Sequence, residues 1–218
     1  MKSFFDIEKT IFLLKQMVQM ESPSHEKAAV DRLGIFIQKE CRALGAKVIV
    51  HSQTVTGDHI EANIFQEIAS HGKTPGILLL CHMDTVFPLG TLSKVPFHEE
   101  GDKIFGPGVS DMKGGIAVTL AALSMVKKSG LPTSPVTVLF TSDEESGSLT
   151  SRGLIETLAK EASLVLVLEP GMVDGAVKTW RKGVGEFTVV VKGRAAHAGG
   201  DHQKGRNAIE EIARQVGA

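Results

Sequence analysis

The sequence predicts an α/β fold, a mostly parallel sheet with helices on both faces. Three observations carry that reading. The runs GILLLC (residues 76–81), VTVLF (136–140) and LVLVL (164–168) are apolar without alternation, as strands buried on both faces are. Helical stretches, about 114–128 and 148–160, lie between them, and strand–helix alternation is the mark of a parallel sheet. Each apolar run also ends in ionisable side chains, at the strand ends where open α/β sheets bind ligands.

The elements follow in order. Ile7, Ile11, Leu14 and Val18 recur at helical spacing and open the chain with an amphipathic helix. Pro23 breaks it, and Ser24 is the expected N-cap of the next helix. Ala29, Leu33, Phe36, Ile37 and Leu44 mark that second helix, which ends near Gly45. Short strands are expected over 47–51, 61–67 and 76–81, followed by the alternating strands and helices already named. After Gly171 the character changes: residues 176–181 and 185–192 alternate and read as two strands. GRAAHAGGDHQKG (193–205) is a polar, Gly-rich loop, and RNAIEEIARQV begins an amphipathic helix. So little structure cannot enclose a core of its own. Residues 1–175 are therefore read as the N-terminal part of one domain, and 176–218 as the start of a second, truncated one.

Composition excludes several classes. Among 218 residues, 42% are hydrophobic and 22% charged, and the net charge is −1. No basic excess points to nucleic acid or an anionic membrane. Cys41 and Cys81 both fall on apolar faces, which suits core thiols and a reducing compartment. Asp6, Glu8 and Lys9 interrupt any signal-peptide core, and no stretch reaches the ~18 uninterrupted apolar residues of a membrane span. The chain is read as cytoplasmic.

The chemistry sits behind the strands. The first apolar run is followed by His82-Met83-Asp84, the second by Thr141-Ser142-Asp143-Glu144-Glu145, and the third by Glu169-Pro170-Gly171. Between the first two lies GPGVSDMKGG, with Asp111 just before a helix. Each piece alone has an ordinary reading: a polar strand end, a helix N-cap, a solvated first turn, a turn before proline. Four at successive strand ends favour a divalent-metal site, with zinc preferred by the imidazole. A dication would offset the repulsion within Asp143-Glu144-Glu145. Other chemistries fail on the letters. Met112 stands where a nucleophile elbow needs its last glycine, and Asp111 where a dinucleotide fingerprint needs its third. Cys81 and His82 are strand neighbours facing opposite sides, so they cannot act as nucleophile and base.

CHMDTVFP, GPGVSDMKGG, TSDEESGS and LEPG, in this order, resemble the metal motifs of the dinuclear zinc family of aminoacylase, acetylornithine deacetylase, succinyl-diaminopimelate desuccinylase and glutamate carboxypeptidase. The stretch from His82 to Gly115 is most similar to the glutamate carboxypeptidase branch. The resemblance implies a zinc-dependent metallopeptidase that cleaves an amide bond of a small peptide or N-acyl amino acid. In it Asp111 bridges two zinc ions, His82 and Glu169 bind one, and Glu145 binds the other. Glu144 is the general base, raised by crowding against Asp143 and Glu145 and lowered by the metals. Asp84 orients the His82 ring. His197 resembles a lid-domain histidine that reaches a neighbouring subunit's site, which implies a homodimer. The family pattern also carries a second histidine ligand farther downstream. The resemblance thus implies a C-terminally truncated chain, either an inactive fragment holding one zinc or fewer, or one half that pairs with a separately encoded piece. An exposed sheet edge and self-association are expected of it.

Overall fold

Alternation within the central strands sorts their side chains to two faces, and one face gathers most of the core. The structure, a computed structural model, describes residues 5–69, 75–130, 132–183, 185 and 187–217. The chain divides into two compact units, one through Gly171 and one from Met172.

The first unit begins with helices α1 (Ile7–Val18) and α2 (Lys27–Ala43), followed by strands β1 (Lys47–His51), β2 (His59–Ile64) and β3 (Ile77–His82). After a short helix α3 (Thr91–Lys94) and a small hairpin, β4 (His98–Glu100) and β5 (Lys103–Phe105), come α4 (Gly114–Ser129), β6 (Val136–Thr141), α5 (Arg152–Glu161) and β7 (Leu164–Val167). Five strands form one sheet in the order β1-β2-β6-β3-β7. β3 lies between β6 and β7 and is parallel to both, whereas β2 runs antiparallel to β6 and to β1. The sheet is therefore parallel at the strands that carry the motifs and antiparallel toward β1.

On one face Ile60, Ala62 and Ile64 of β2, Cys81 of β3 and Val136, Val138 and Phe140 of β6 are buried together. Leu14, Met17 and Val18 of α1, Val30, Leu33 and Ile37 of α2, and Ile116, Ala117, Leu120 and Leu123 of α4 close over them. Burying a side chain such as Leu33 fully stabilises the fold by about 1.5–3 kcal/mol. Ile7, at the start of the α1 stripe, is 61% exposed, so that stripe is buried only in its C-terminal half. Cys41 and Cys81 are both buried free thiols, and burial pushes each up to about 12. The stretch Val109–Ser129 has the length and apolarity of a membrane span, yet Ile116, Ala117, Leu120 and Leu123 sit in the core, as in a buried core helix.

Several boundaries differ from expectation, each for a local reason. Ser24 does not cap α2: the N-cap is Glu26, with no side-chain hydrogen bond, and the Ser24 hydroxyl donates to Asp84 Oδ2 at 2.7 Å. α5 begins at Arg152 rather than 148, because Gly147 (φ 96°) and Ser148 (φ 56°) are left-handed and cannot lie in a right-handed helix. In the second unit the strands expected over 176–181 and 185–192 are absent among the described residues. Val177, Trp180, Phe187, Val189 and Val190 are exposed there. An extended segment needs a partner ladder to become a strand, and none of the described residues supplies one. What the unit does contain is a bridge between Arg194 and Arg206 and helix α6 (Ala208–Val216), capped by the Asn207 side chain, which accepts from the Ile209 and Glu210 N–H groups.

Candidate metal centre

Register brings the motifs together. His82 ends β3 directly beside Thr141 of β6, so the loops after these two strands leave the sheet side by side. β7 pairs with the other edge of β3, and the Leu168 N–H continues that ladder to the Leu80 carbonyl at 3.0 Å, setting Glu169 at the same end. Asp111 arrives from the turn Val109–Lys113 that leads into α4, and its peptide bond to Met112 is cis. The Met112 thioether is buried and accepts the His82 backbone N–H at 3.0 Å, which joins this turn to the end of β3. Two glycines let the turn and α4 approach. Gly108 has φ +70°, and a Cβ on Gly115 would meet the Leu168 carbonyl oxygen at 2.1 Å.

His82 is at the centre and 2% exposed. Its Nε2 lies 2.9 Å from Asp111 Oδ1, 3.1 Å from Glu169 Oε1 and 3.9 Å from Glu144 Oε2. Ligand-type atoms of His82, Asp111 and Glu145 lie within 4.8 Å of one another, and so do those of His82, Glu144 and Glu169. Six of the residues expected at the site, His82, Asp84, Asp111, Glu144, Glu145 and Glu169, thus converge. The seventh, His197, lies in the second unit, where its Nδ1 accepts from the Gly199 and Gly200 N–H groups at 3.2 and 3.1 Å.

Two expectations about neighbours gain detail. His82 Nδ1 donates to the backbone carbonyl of Asp84 at 2.9 Å and has the Asp84 carboxylate beside it at 3.4 Å, so both parts of Asp84 face the ring nitrogen. The buried Asp84 carboxylate also receives the Ser24 hydroxyl at 2.7 Å and the Glu144 and Glu145 N–H groups at 3.2 Å each, and so shapes the turn that carries those two acids. Asp143 does not face the centre. Its Oδ2 accepts from Thr150 N and Oγ1, both at 2.7 Å, and it is 1% exposed. Burial is the first cause that raises Glu144, followed by Glu169, Asp84 and Asp111, with His82 opposing; Asp143 is not among the main causes. Glu145 is raised too, by burial and then by Asp111.

The donor set fits a divalent metal. Burial disfavours a charged His82, yet Asp84 and Glu169 overcome it and push its pKa up to about 11. One imidazole and several carboxylates suit zinc, and with Nδ1 donating to the Asp84 carbonyl, Nε2 is the nitrogen turned toward the acids. A cleft of about 360 Å³ adjoins Glu145, lined by Pro23, His25, Thr85, Val86, Pro88 and Leu89 among others.

The sequence pattern of peptidase family M20/M25/M40 matches residues 78–218. This chain belongs to that family. It is 38% identical over 202 residues to carboxypeptidase G2 of Pseudomonas sp. (strain RS-16), covering 91% of this chain and 48% of the relative. It is 35% identical over 161 residues to acetylornithine deacetylase of Salmonella arizonae, covering 71% of this chain and 40% of the relative. Among solved structures, a tripeptidase from Staphylococcus aureus superposes with a TM-score of 0.72 at 19% identity, over 99% of this chain and 57% of that one. A metallo-carboxypeptidase from Sulfolobus solfataricus gives 0.63 at 21% identity, over 77% and 39%. At these identities the two structures establish the fold. The chain spans about half the length of the curated relatives it matches.

Met112, Ser24 and the partners of Asp143 escaped sequence reasoning. Ser24 carried a signal, a serine before a helix, but that signal names a cap as readily as a partner for a distant carboxylate.

Proposed function

We propose that this chain carries the metal centre of a zinc-dependent amide hydrolase. Its substrate is a small peptide or N-acyl amino acid, from which it releases glutamate or a similar terminal residue. The observation that carries this reading is the convergence of His82, Asp111, Glu145 and Glu169 around a general-base candidate, Glu144, at one end of the parallel strands. His82 Nε2, Asp111 and Glu169 would hold one zinc, and Asp111 and Glu145 would hold a second. Zinc bound here supplies positive charge that polarises an amide carbonyl and makes water more acidic. Glu144 takes the proton of the attacking water on a carboxylate oxygen and returns it to the leaving amine. Asp84 steadies both Glu144 and Glu145 through their N–H groups. His197 meets the substrate carbonyl from the second unit of a partner copy in a homodimer, and the protein acts in the cytoplasm.

A second reading is a chain that binds one zinc without turnover. The ligand count favours it: among the described residues, His82 alone brings an imidazole to the cluster, and catalytic zinc sites use about three protein ligands. A deacylase acting like acetylornithine deacetylase is the nearest alternative in substrate.

Zinc per chain decides between them. Elemental analysis of the dialysed protein is expected to give two ions, falling in Glu145→Ala, with amino-acid release from N-acyl glutamates in the loaded protein. One ion and no release would leave the non-catalytic reading; no zinc at all would end both.

A further inference from the structure

Behind the Glu144–Glu145 turn lies a buried chain of hydrogen bonds that the proposed chemistry does not use. Ser142, His59 and Asp143 are each 1% exposed or less. The Ser142 N–H donates to His59 Nδ1 at 3.2 Å, so that nitrogen carries a lone pair and the ring proton sits on Nε2. Nε2–H then donates to Thr150 Oγ1 at 3.0 Å. The Thr150 hydroxyl has one proton, and it goes to Asp143 Oδ2 at 2.7 Å. The same oxygen accepts the Thr150 and Ser151 N–H groups, and the Asp143 carbonyl accepts the Ser148 N–H at 2.8 Å. The Ser142 hydroxyl donates to the Gly57 carbonyl. Every donor in the chain therefore has one direction, and it begins on β2, far from Glu144 in sequence.

We propose that His59, Thr150 and Asp143 act as positioning residues that clamp the Glu144–Glu145 turn from behind while Asp84 holds it from the front. The proposal rests on the metal-centre reading above. The turn is short and includes left-handed Gly147 and Ser148, so its own backbone does little to aim two carboxylates. Asp84 bonds only to the main chain of Glu144 and Glu145, and fixes one side of it. On the other side, Asp143 directly precedes Glu144, and its carboxylate ties the turn to the start of α5 and, through Thr150 and His59, to β2. The carboxylate is buried and takes three hydrogen bonds on one oxygen, from Thr150 N and Oγ1 and from Ser151 N, which holds this side of the turn in one orientation.

Thr150→Val tests it. Valine keeps the shape and the backbone N–H and removes only the hydroxyl relay; Thr150→Ser keeps the relay. The 218-residue chain is titrated with zinc against a chromophoric chelator, cobalt(II) spectra are recorded in the visible, and urea midpoints are measured without metal. The valine variant is expected to bind zinc about tenfold more weakly, in the range outer partners of metal ligands command. Its cobalt spectrum should also change, and the serine variant should restore both. Unchanged zinc affinity and cobalt spectrum in Thr150→Val, whatever happens to the urea midpoint, would overturn the proposal and leave the metal centre standing. If the wild-type chain binds neither ion, the metal-centre reading fails and this proposal falls with it.

Discussion

Three acids in a row, Asp143-Glu144-Glu145, do not share one job. Glu144 and Glu145 face His82 and Asp111, while Asp143 turns inward to Thr150, Ser151 and, through Thr150, to His59. The three acids repel one another in sequence, yet only two of them turn toward the His82 cluster. His59 makes this testable by pH. Burial holds its pKa below the ordinary histidine range, helped by His51 and opposed by Asp143, Asp58 and Asp84. In the unfolded chain the ring titrates near pH ~6.5. Above that pH both states are neutral and the contribution is whole. As pH falls below it, the unfolded chain takes up a proton that folded His59 refuses, so stability drops until the lowered folded pKa is passed. Urea midpoints of the chelated protein, followed downward from mildly alkaline pH, should therefore fall more steeply in wild type than in His59→Gln. Parallel curves would mean that His59 is not held neutral.

At the scale of elements, the centre depends on how closely α4 approaches the end of β7. Gly115 lies in the first turn of α4, and its missing side chain leaves room for the Leu168 carbonyl, one residue before Glu169, and for the Met112 methyl at 2.9 Å, one residue after Asp111. Gly115→Ala is expected to destabilise the fold by about 1–3 kcal/mol through overpacking. It should also weaken zinc binding, because both neighbours adjoin the proposed ligands Asp111 and Glu169. Gly153→Ala in exposed α5, where nothing lies within 4 Å of the new methyl, should be neutral or gain up to about 1 kcal/mol from helix propensity. Denaturation curves of the two variants separate the explanations: equal losses would show that glycine matters at Gly115 only for general reasons.

At the scale of the molecule, β7 is the outermost strand of the five and carries exposed Leu164 (47%), Leu166 (41%) and Val167 (59%). An unpaired apolar edge is a template for another chain. The isolated 218-residue chain should therefore gain mass with concentration in light scattering, and Leu166→Lys on that edge should reduce the gain. A monomer at every concentration would show the edge to be harmless.

The apolar runs, the helical spacings and the ionisable residues behind each strand were enough to determine the α/β class, the parallel pairing of β3 with β6 and β7, and the gathering of six ionisable residues near one end of those strands. Such features are local, and β7 marks their limit: its run is apolar throughout, yet it lies at the sheet edge with Leu164, Leu166 and Val167 exposed. Tertiary structure alone decided the rest. Whether Ser24 caps a helix or bonds Asp84, whether Asp143 faces metal or Thr150, and whether 176–192 finds a ladder all depend on partners distant in sequence. Hydroxyls and carboxylates accept many partners with similar energies, so proximity in the fold, not residue type, selects among them.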